Sequence, residues 1–430
     1  MRVNSTQTIA YQFLTHFVVL MLVYAASVLL GAVKFLGADA LADTLPYSQV
    51  AQISSTILLL ALLSGGIGGG LYALSQERSD KRFPYENVLR WARRGWTLLC
   101  VLTAGAGLLG LLKGRTGLEL PPLLDALLIV VLALILFVVV RGVPRWWSLP
   151  LVWTLGITAV LLGEVVGLLP VDPAHDRLLG VLAVGLRDTL GIGLLAVALI
   201  FWQMQRFSDL SPGWVNIGVY SVGGFWSMAA ALLTLQSLVT LGVPAAVQVG
   251  VLGVIALPVI AAIFASHAYL ALSHRNTTRT LSAHWVSLAI VLLLIGVGLL
   301  GALNALPDVN RMIAGTRLTD LQHTLILLAF AAALFGTVNQ VGAELREENR
   351  RITGLAPFWL VGFGLIVGAI GLGGAGIVQI YLERLLSVGY LETQTLIVPL
   401  YTVWVIGWAA VGLGLIGYAL GFWVRRVRNS

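Results

Sequence analysis

Charge is what this sequence most lacks. Acidic and basic residues make up only 10% of its 430 residues, against 58% hydrophobic. A soluble globular chain carries roughly 25% charged residues. A chain this poor in charge cannot cover its own surface in water, so the bilayer has to be part of its solvent. Cysteine is almost missing as well. Cys100 stands alone inside an apolar run, which excludes an internal disulfide, a thiolate zinc site and an iron–sulfur cluster held by this chain. A signal-peptide cleavage pattern is missing from the first residues, Met1 to Tyr11. The first apolar run is long enough to span the membrane and stay there. No loop is long enough for a soluble domain, so a single membrane domain is expected over 1–430.

What is present is a series of long apolar runs. Spans are expected near 10–36, 50–75, 95–113, 122–141, 146–168, 177–205, 214–241, 244–273, 284–304, 319–343, 356–382 and 391–424. Each approaches or exceeds the roughly 20 residues that cross the hydrocarbon as a helix, allowing for tilt. The expected fold is therefore all-α: a polytopic membrane protein with about twelve transmembrane helices.

The formal charge of +7 could suggest nucleic acid. The placement of the basic residues points instead to membrane orientation. With the N-terminus inside, the inner loops hold Arg2, Arg78, Lys81, Arg82, Arg90, Arg93, Arg94, Arg141, Arg145, Arg206, Arg275, Arg279, Arg346, Arg350, Arg351, Arg425, Arg426 and Arg428. The outer side holds Lys34, Lys113, Arg115, Arg177, Arg311, Arg317 and Arg384, and Arg187 lies within a span. This excess is the positive-inside pattern, and it places both termini in the cytoplasm. The expected location is the cell's inner, cytoplasmic membrane, with the lipid bilayer and no nucleic acid as partner.

Two stretches match GxGxxG: Gly105-Ala-Gly107-Leu-Leu-Gly110 and Gly412-Leu-Gly414-Leu-Ile-Gly417. Neither follows a strand and both lie in spans, so close helix packing through small residues is the reading, not dinucleotide binding. The same holds for the clusters Gly65–Gly70 and Gly371–Gly376. Trp146–Trp147 fits an interfacial aromatic belt.

Chemistry is sought among ionisable residues within spans, because burying them in lipid is costly. By the expected orientation, His16 and His267 sit toward the inner side. His274 and His284 flank an inner loop, and His175 lies in an outer one. His323 alone sits inside a span near the outer face. A single histidine there reads as a hydrogen-bonded packing residue or as a haem axial ligand.

The sequence around His323 bears on that choice. Thr319-Asp-Leu-Gln-His-Thr-Leu-Ile-Leu-Leu-Ala, followed by Phe335-Gly-Thr-Val, resembles helix X of subunit I in the haem–copper oxidase superfamily. The likeness is greatest to the cbb-type cytochrome c oxidases and the large subunit of nitric oxide reductases. It extends through Phe225-Trp226 and Pro357-Phe358-Trp359. That superfamily also has twelve spans with both termini inside. Its helix X carries an HxH pair, the second histidine ligating the low-spin haem and the first the active-site haem. Here the second matches His323, and Leu321 stands at the first.

The departures are as informative. The resemblance places the other low-spin haem ligand at Ser54 or Ser55. It places one copper histidine at Arg187, the cross-linked tyrosine near Ala230 and two further copper histidines around Gln236–Ser237. The second, sixth and seventh spans contain no histidine at all. A copper held by imidazoles needs about three of them converging at one depth. No copper and no bis-histidine haem are therefore expected; the cofactor expectation is no haem or one b-type haem. Met228 and Met312 have suitable depth for a histidine–methionine haem. The superfamily holds haem propionates with polar side chains on its outer face, a role the resemblance gives to Arg317 and Asp320.

Arg187 lies about ten residues into the sixth span. It reads as a packing charge with Glu164 as a mate, or as a guanidinium filling the place of copper. Neighbouring helical residues face different ways, so Asp188 is expected to be the lesser partner. The resulting expectation is a degenerate subunit-I-like protein, not catalytic alone, in a respiratory or denitrification-type electron-transfer complex. Other membrane subunits and a c-type cytochrome would be its partners. One rival is a single-haem electron-transfer subunit using His323. Another is a twelve-helix transporter or channel.

Overall fold

A computed structural model describes residues 5–35, 45–78, 82–112, 120–143, 148–169, 173–208, 211–239, 244–273, 280–345 and 354–424. Every regular element in them is a helix. The chain runs through α1 (Ser5–Phe35), α2 (Tyr47–Gln76), α3 (Glu86–Leu108), α4 (Pro122–Gly142) and α5 (Ser148–Gly167). A π turn, Gly185–Gly191, joins α6 (Pro173–Val184) to α7 (Ile192–Phe207). Then come α8 (Pro212–Val239) and α9 (Pro244–Ser273). A second π turn, Leu294–Leu299, joins α10 (Thr280–Leu293) to α11 (Leu300–Ala305). The short α12 (Pro307–Ile313) leads into α13 (Arg317–Leu345). A third π turn, Ile380–Leu385, extends α14 (Leu355–Gln379), and α15 (Tyr390–Leu396) and α16 (Val398–Val424) follow.

Eleven of these rods are long and apolar enough to cross a membrane. They coincide with eleven of the twelve expected spans, and the chain is an all-α, multi-pass membrane protein. The remaining expected span, 95–113, falls on α3. That helix starts nine residues earlier than expected and ends at Leu108. Arg90, Arg93 and Arg94 lie in its first half and lower its apolar character. Arginine is a good helix former, so the charges do not end the helix. Its second half exposes Leu98, Val101 and Leu102. The last expected span, 391–424, is two helices with a break at Ile397. Pro399 explains the break, because proline has no N–H to carry the helix's hydrogen bonding across it and its ring crowds the preceding turn.

The centre is built from α2, α7 and α13, which pack on one another. The apolar windows of α2 and α13 are entirely buried. Small residues make this possible. A β-carbon on Gly68 would come within 2.9 Å of Ala10 O and Leu14 N, so α1 and α2 touch backbone to backbone. Gly407 of α16 meets Gly364 and Gly368 of α14 in the same way. Between helices without a hydrophobic driving force, such contacts and interhelical hydrogen bonds hold the bundle. Trp153 Nε1 donates to Gly66 O at 2.9 Å. Gln203 donates to Ala333 O at 3.0 Å and to Thr337 Oγ1 at 2.9 Å, while Ser282 donates to its Oε1 at 2.8 Å. The periphery is apolar where lipid would lie: Leu252, Ile255 and Val259 on α9, and Phe363, Ile366 and Ile370 on α14 are exposed.

Expectations that fall on Trp146–Trp147, His274 and several counted basic residues, among them Arg2, Arg145, Arg275 and Arg425, lie outside the described residues.

Candidate functional site

The site begins at the π turn between α6 and α7. A π turn widens the helix and leaves a carbonyl without its usual partner. Here Thr189 O accepts from Trp226 Nε1 at 2.9 Å. Gly163 of α5 lets the neighbouring backbone reach the turn. A β-carbon there would stand within 2.9 Å of Arg187 Cβ, Arg187 N and Ala183 O.

Within this turn Arg187 is 3% exposed and Asp188 2%. Arg187 Nε donates to Asp188 Oδ1 at 2.6 Å, and Nη2 to Oδ2 at 3.3 Å. Nη1 reaches Glu164 Oε1 of α5 at 3.4 Å, and Glu164 is also buried. The mate expected on another helix is therefore present. The expectation that Asp188 would be the lesser partner is corrected. In the wider turn successive residues are separated by a smaller angle, and the long arginine side chain folds back along the helix onto its neighbour.

Beside this pair lies a cavity of about 890 Å³. Its wall comes from α6, the π turn, α8, α11, α12 and α13. Asp188, Gln236, Ser237, Asn304, Asn310, Gln322 and His323 all line it. His323 is exposed to it. Leu321, two residues earlier, is buried and packs toward Gly373 of α14 instead. No α2 residue lines the cavity. Ser54, which the resemblance sets against the other low-spin haem ligand, is buried and donates to Ser27 Oγ at 2.9 Å. His323 thus shares a space with the Arg187–Asp188 turn, not with Ser54 or Ser55.

Arg317 and Asp320 stand apart from this wall. They pair with each other at 2.9 Å. Arg317 Nε also donates to Tyr401 OH at 2.6 Å, and its backbone N–H donates to Gln379 Oε1 at 3.1 Å. The pair ties the start of α13 to α14 and α16. Met228 and Met312 are exposed and do not line the cavity. The wall therefore offers a haem one protein ligand, His323, with apolar contact from Val181, Val184, Leu233, Ile326 and Leu327. Among the described residues, no three or more His, Cys, Asp and Glu side chains are grouped to hold a metal ion.

The remaining described histidines make packing contacts. His16 Nε2 meets Thr97 Oγ1 at 3.1 Å. His267 Nδ1 meets Ile263 O at 2.8 Å, with its ring edge-on to Phe201 and Trp214. His284 packs edge-on against Phe358.

Asn304, Asn310 and Gln322 are not among the candidates drawn from the sequence. The signal within reach was their depth: all three lie at the expected outer end of their helices, level with His323. No protein-family model matches the chain, and no curated protein matches it either.

Proposed function

We propose that the protein is a degenerate subunit-I-like member of the haem–copper oxidase superfamily, acting as a non-catalytic membrane subunit of an electron-transfer complex in the cytoplasmic membrane. One observation carries this reading. The residues that the resemblance assigns to two copper ligands, Gln236–Ser237, line one cavity with the helix X histidine, His323, and Asp188 on the same wall pairs with Arg187, which stands at the third copper position. They come from α6–α7, α8 and α13, far apart in sequence. At that third position stands a guanidinium. Its charge is met by Asp188 and Glu164. The guanidinium puts positive charge at that position without a metal. In this reading both termini are cytoplasmic and the cavity lies in the outer half. Other membrane subunits and a c-type cytochrome are the partners.

Purification of the native complex in mild detergent, with mass spectrometry of its subunits, tests this. Co-purifying membrane subunits or a c-type cytochrome support the reading. A chain that purifies alone and moves a solute across proteoliposomes contradicts it and favours the transporter.

A second reading, a single b-type haem on His323, has its own support: the imidazole is open to a cavity with apolar walls. A haem there would supply one-electron transfer, with His323 as its axial ligand. The test is a His323→Ala variant, which under this reading loses a Soret band and keeps its melting temperature.

A further inference from the structure

We infer that the outward face of α3 is a docking site for an anionic phospholipid, its phosphate held by Arg94 and Arg90 and an acyl chain lying along Leu98, Val101 and Leu102. The inference is independent of the oxidase-like reading and rests on one helix face.

The face is defined by its neighbours. On one side Thr97 Oγ1 meets His16 Nε2 of α1 at 3.1 Å. On the other, a β-carbon on Gly95 would come within 2.9 Å of Val131 of α4. Trp96 and Leu99 are fully buried and hold α3 to the core. The stripe left between these contacts carries Arg90, Trp91, Arg94, Leu98, Val101 and Leu102, and all six are exposed. Their spacing of three and four places them on one side of the helix. The stripe is basic at one end and apolar along the rest.

Charge sets the sign of the ligand. α3 carries three arginines and one carboxylate, Glu86. Glu86 is already engaged: it accepts from Ser5 Oγ, from Thr6 Oγ1 at 3.0 Å, and stands 3.8 Å from Arg90. Arg94 meets no carboxylate among the described residues, and its guanidinium lies 5.0 Å from the centre of the Trp91 ring. A guanidinium without a carboxylate on a lipid-facing stripe needs an anion. A phosphodiester matches its fork at two points. A zwitterionic headgroup brings its own cation to the same place, so the net positive charge favours an anionic one.

Position selects a lipid over a soluble anion. Arg94 stands fourteen residues before Leu108, the end of α3. That is about 21 Å of helix against roughly 30 Å of hydrocarbon. The shortfall keeps the guanidinium at the edge of the hydrocarbon, where long basic side chains reach for headgroups. Trp91, 65% exposed, is the residue type that belongs at that level. A soluble anion would use the arginines and leave the apolar part of the stripe bare.

The test is native mass spectrometry of the full chain in mild detergent, titrated with phosphatidylglycerol and phosphatidylcholine of identical acyl chains. Phosphatidylglycerol should be retained about fivefold or more over phosphatidylcholine. Arg94→Gln should lower its retention about fivefold, and Arg90→Gln with Arg94→Gln about twenty-five-fold, without lowering the lipid-free melting temperature. Arg311→Gln removes an exposed guanidinium on α12 and should leave retention unchanged. Glycerol 3-phosphate in excess should not displace the lipid, and a photo-crosslinker at Leu98 in the native complex should capture lipid. Equal retention of the two lipids, an Arg94→Gln variant that matches the parent, or an equal loss in Arg311→Gln overturns the inference. So does displacement by glycerol 3-phosphate, which would make the site one for a soluble anion, or capture of another membrane subunit at Leu98, which would make a protein the occupant.

Discussion

Arg187 and Asp188 are neighbours in sequence, and yet they form a two-point ion pair, with Nε–Oδ1 at 2.6 Å and Nη2–Oδ2 at 3.3 Å. Both are buried, so breaking the pair from one side leaves an uncompensated charge. Arg187→Leu should destabilise the protein by about 3–5 kcal/mol. Replacing both partners, Arg187→Leu with Asp188→Leu, should cost less than the single change. Arg187→Lys should fall between, because an ammonium lacks the fork that meets both oxygens. Thermal unfolding in detergent measures the order. An Arg187→Leu protein as heat-stable as the parent would remove both roles argued for this residue.

Gly163 tests how the ion cluster is brought together. A β-carbon there meets backbone atoms of Arg187 and Ala183, which cannot swing away as a side-chain tip can. Gly163→Ala should separate α5 from the π turn and cost about 1–3 kcal/mol. Gly224→Ala, where a β-carbon has no neighbour within 4 Å, is the matched control and should leave the melting temperature unchanged.

Gln203 holds the centre through α7, α10 and α13. It is fully buried, and its amide serves Ala333 O, Thr337 and Ser282 together. Gln203→Leu removes one partner each from the Ser282 and Thr337 hydroxyls, which keep Gly336 O and Ala333 O as acceptors. The expected loss is about 1–3 kcal/mol. Adding Ser282→Ala and Thr337→Val should cost less than the sum of the separate changes, since the links to Gln203 are already gone.

Arg317 should behave independently of the cavity. Its partners are Asp320, Tyr401 and the Gln379 side chain, and it is absent from the cavity wall. Arg317→Gln should cost about 1 kcal/mol or less, as expected for a partly exposed pair. It should leave the absorption spectrum of the purified protein as it was. A change there would mean that the two faces of α13 are coupled.

The helices were largely legible in the sequence, because lipid demands apolar runs of fixed length. The run 244–273 coincides with α9, Pro244–Ser273. The α3 start was missed because charge was read as the end of a span, while Arg90, Arg93 and Arg94 continue a helix beyond it. The Arg187–Glu164 pairing was readable as one charge seeking another across helices. The Arg187–Asp188 pairing was not, because it depends on a π turn, and nothing in Gly-Leu-Arg-Asp-Thr-Leu-Gly announces one. The cavity was hidden for a different reason. Its wall is assembled from six elements, and single-sequence patterns carry no information on which distant helices meet. Depth alone could level His323 with Asn304 and Asn310, but not say that they share a space while Arg317 and Asp320 face elsewhere.

The most direct test of the central claim is the cofactor content of the purified protein: copper by mass spectrometry and haem by the dithionite-reduced absorption spectrum, on the same sample. The account predicts no stoichiometric copper and at most one b-type haem, because the position that the resemblance assigns to a copper histidine holds the paired Arg187 and the cavity wall carries one histidine. Two b-type haems together with one copper per chain would contradict it.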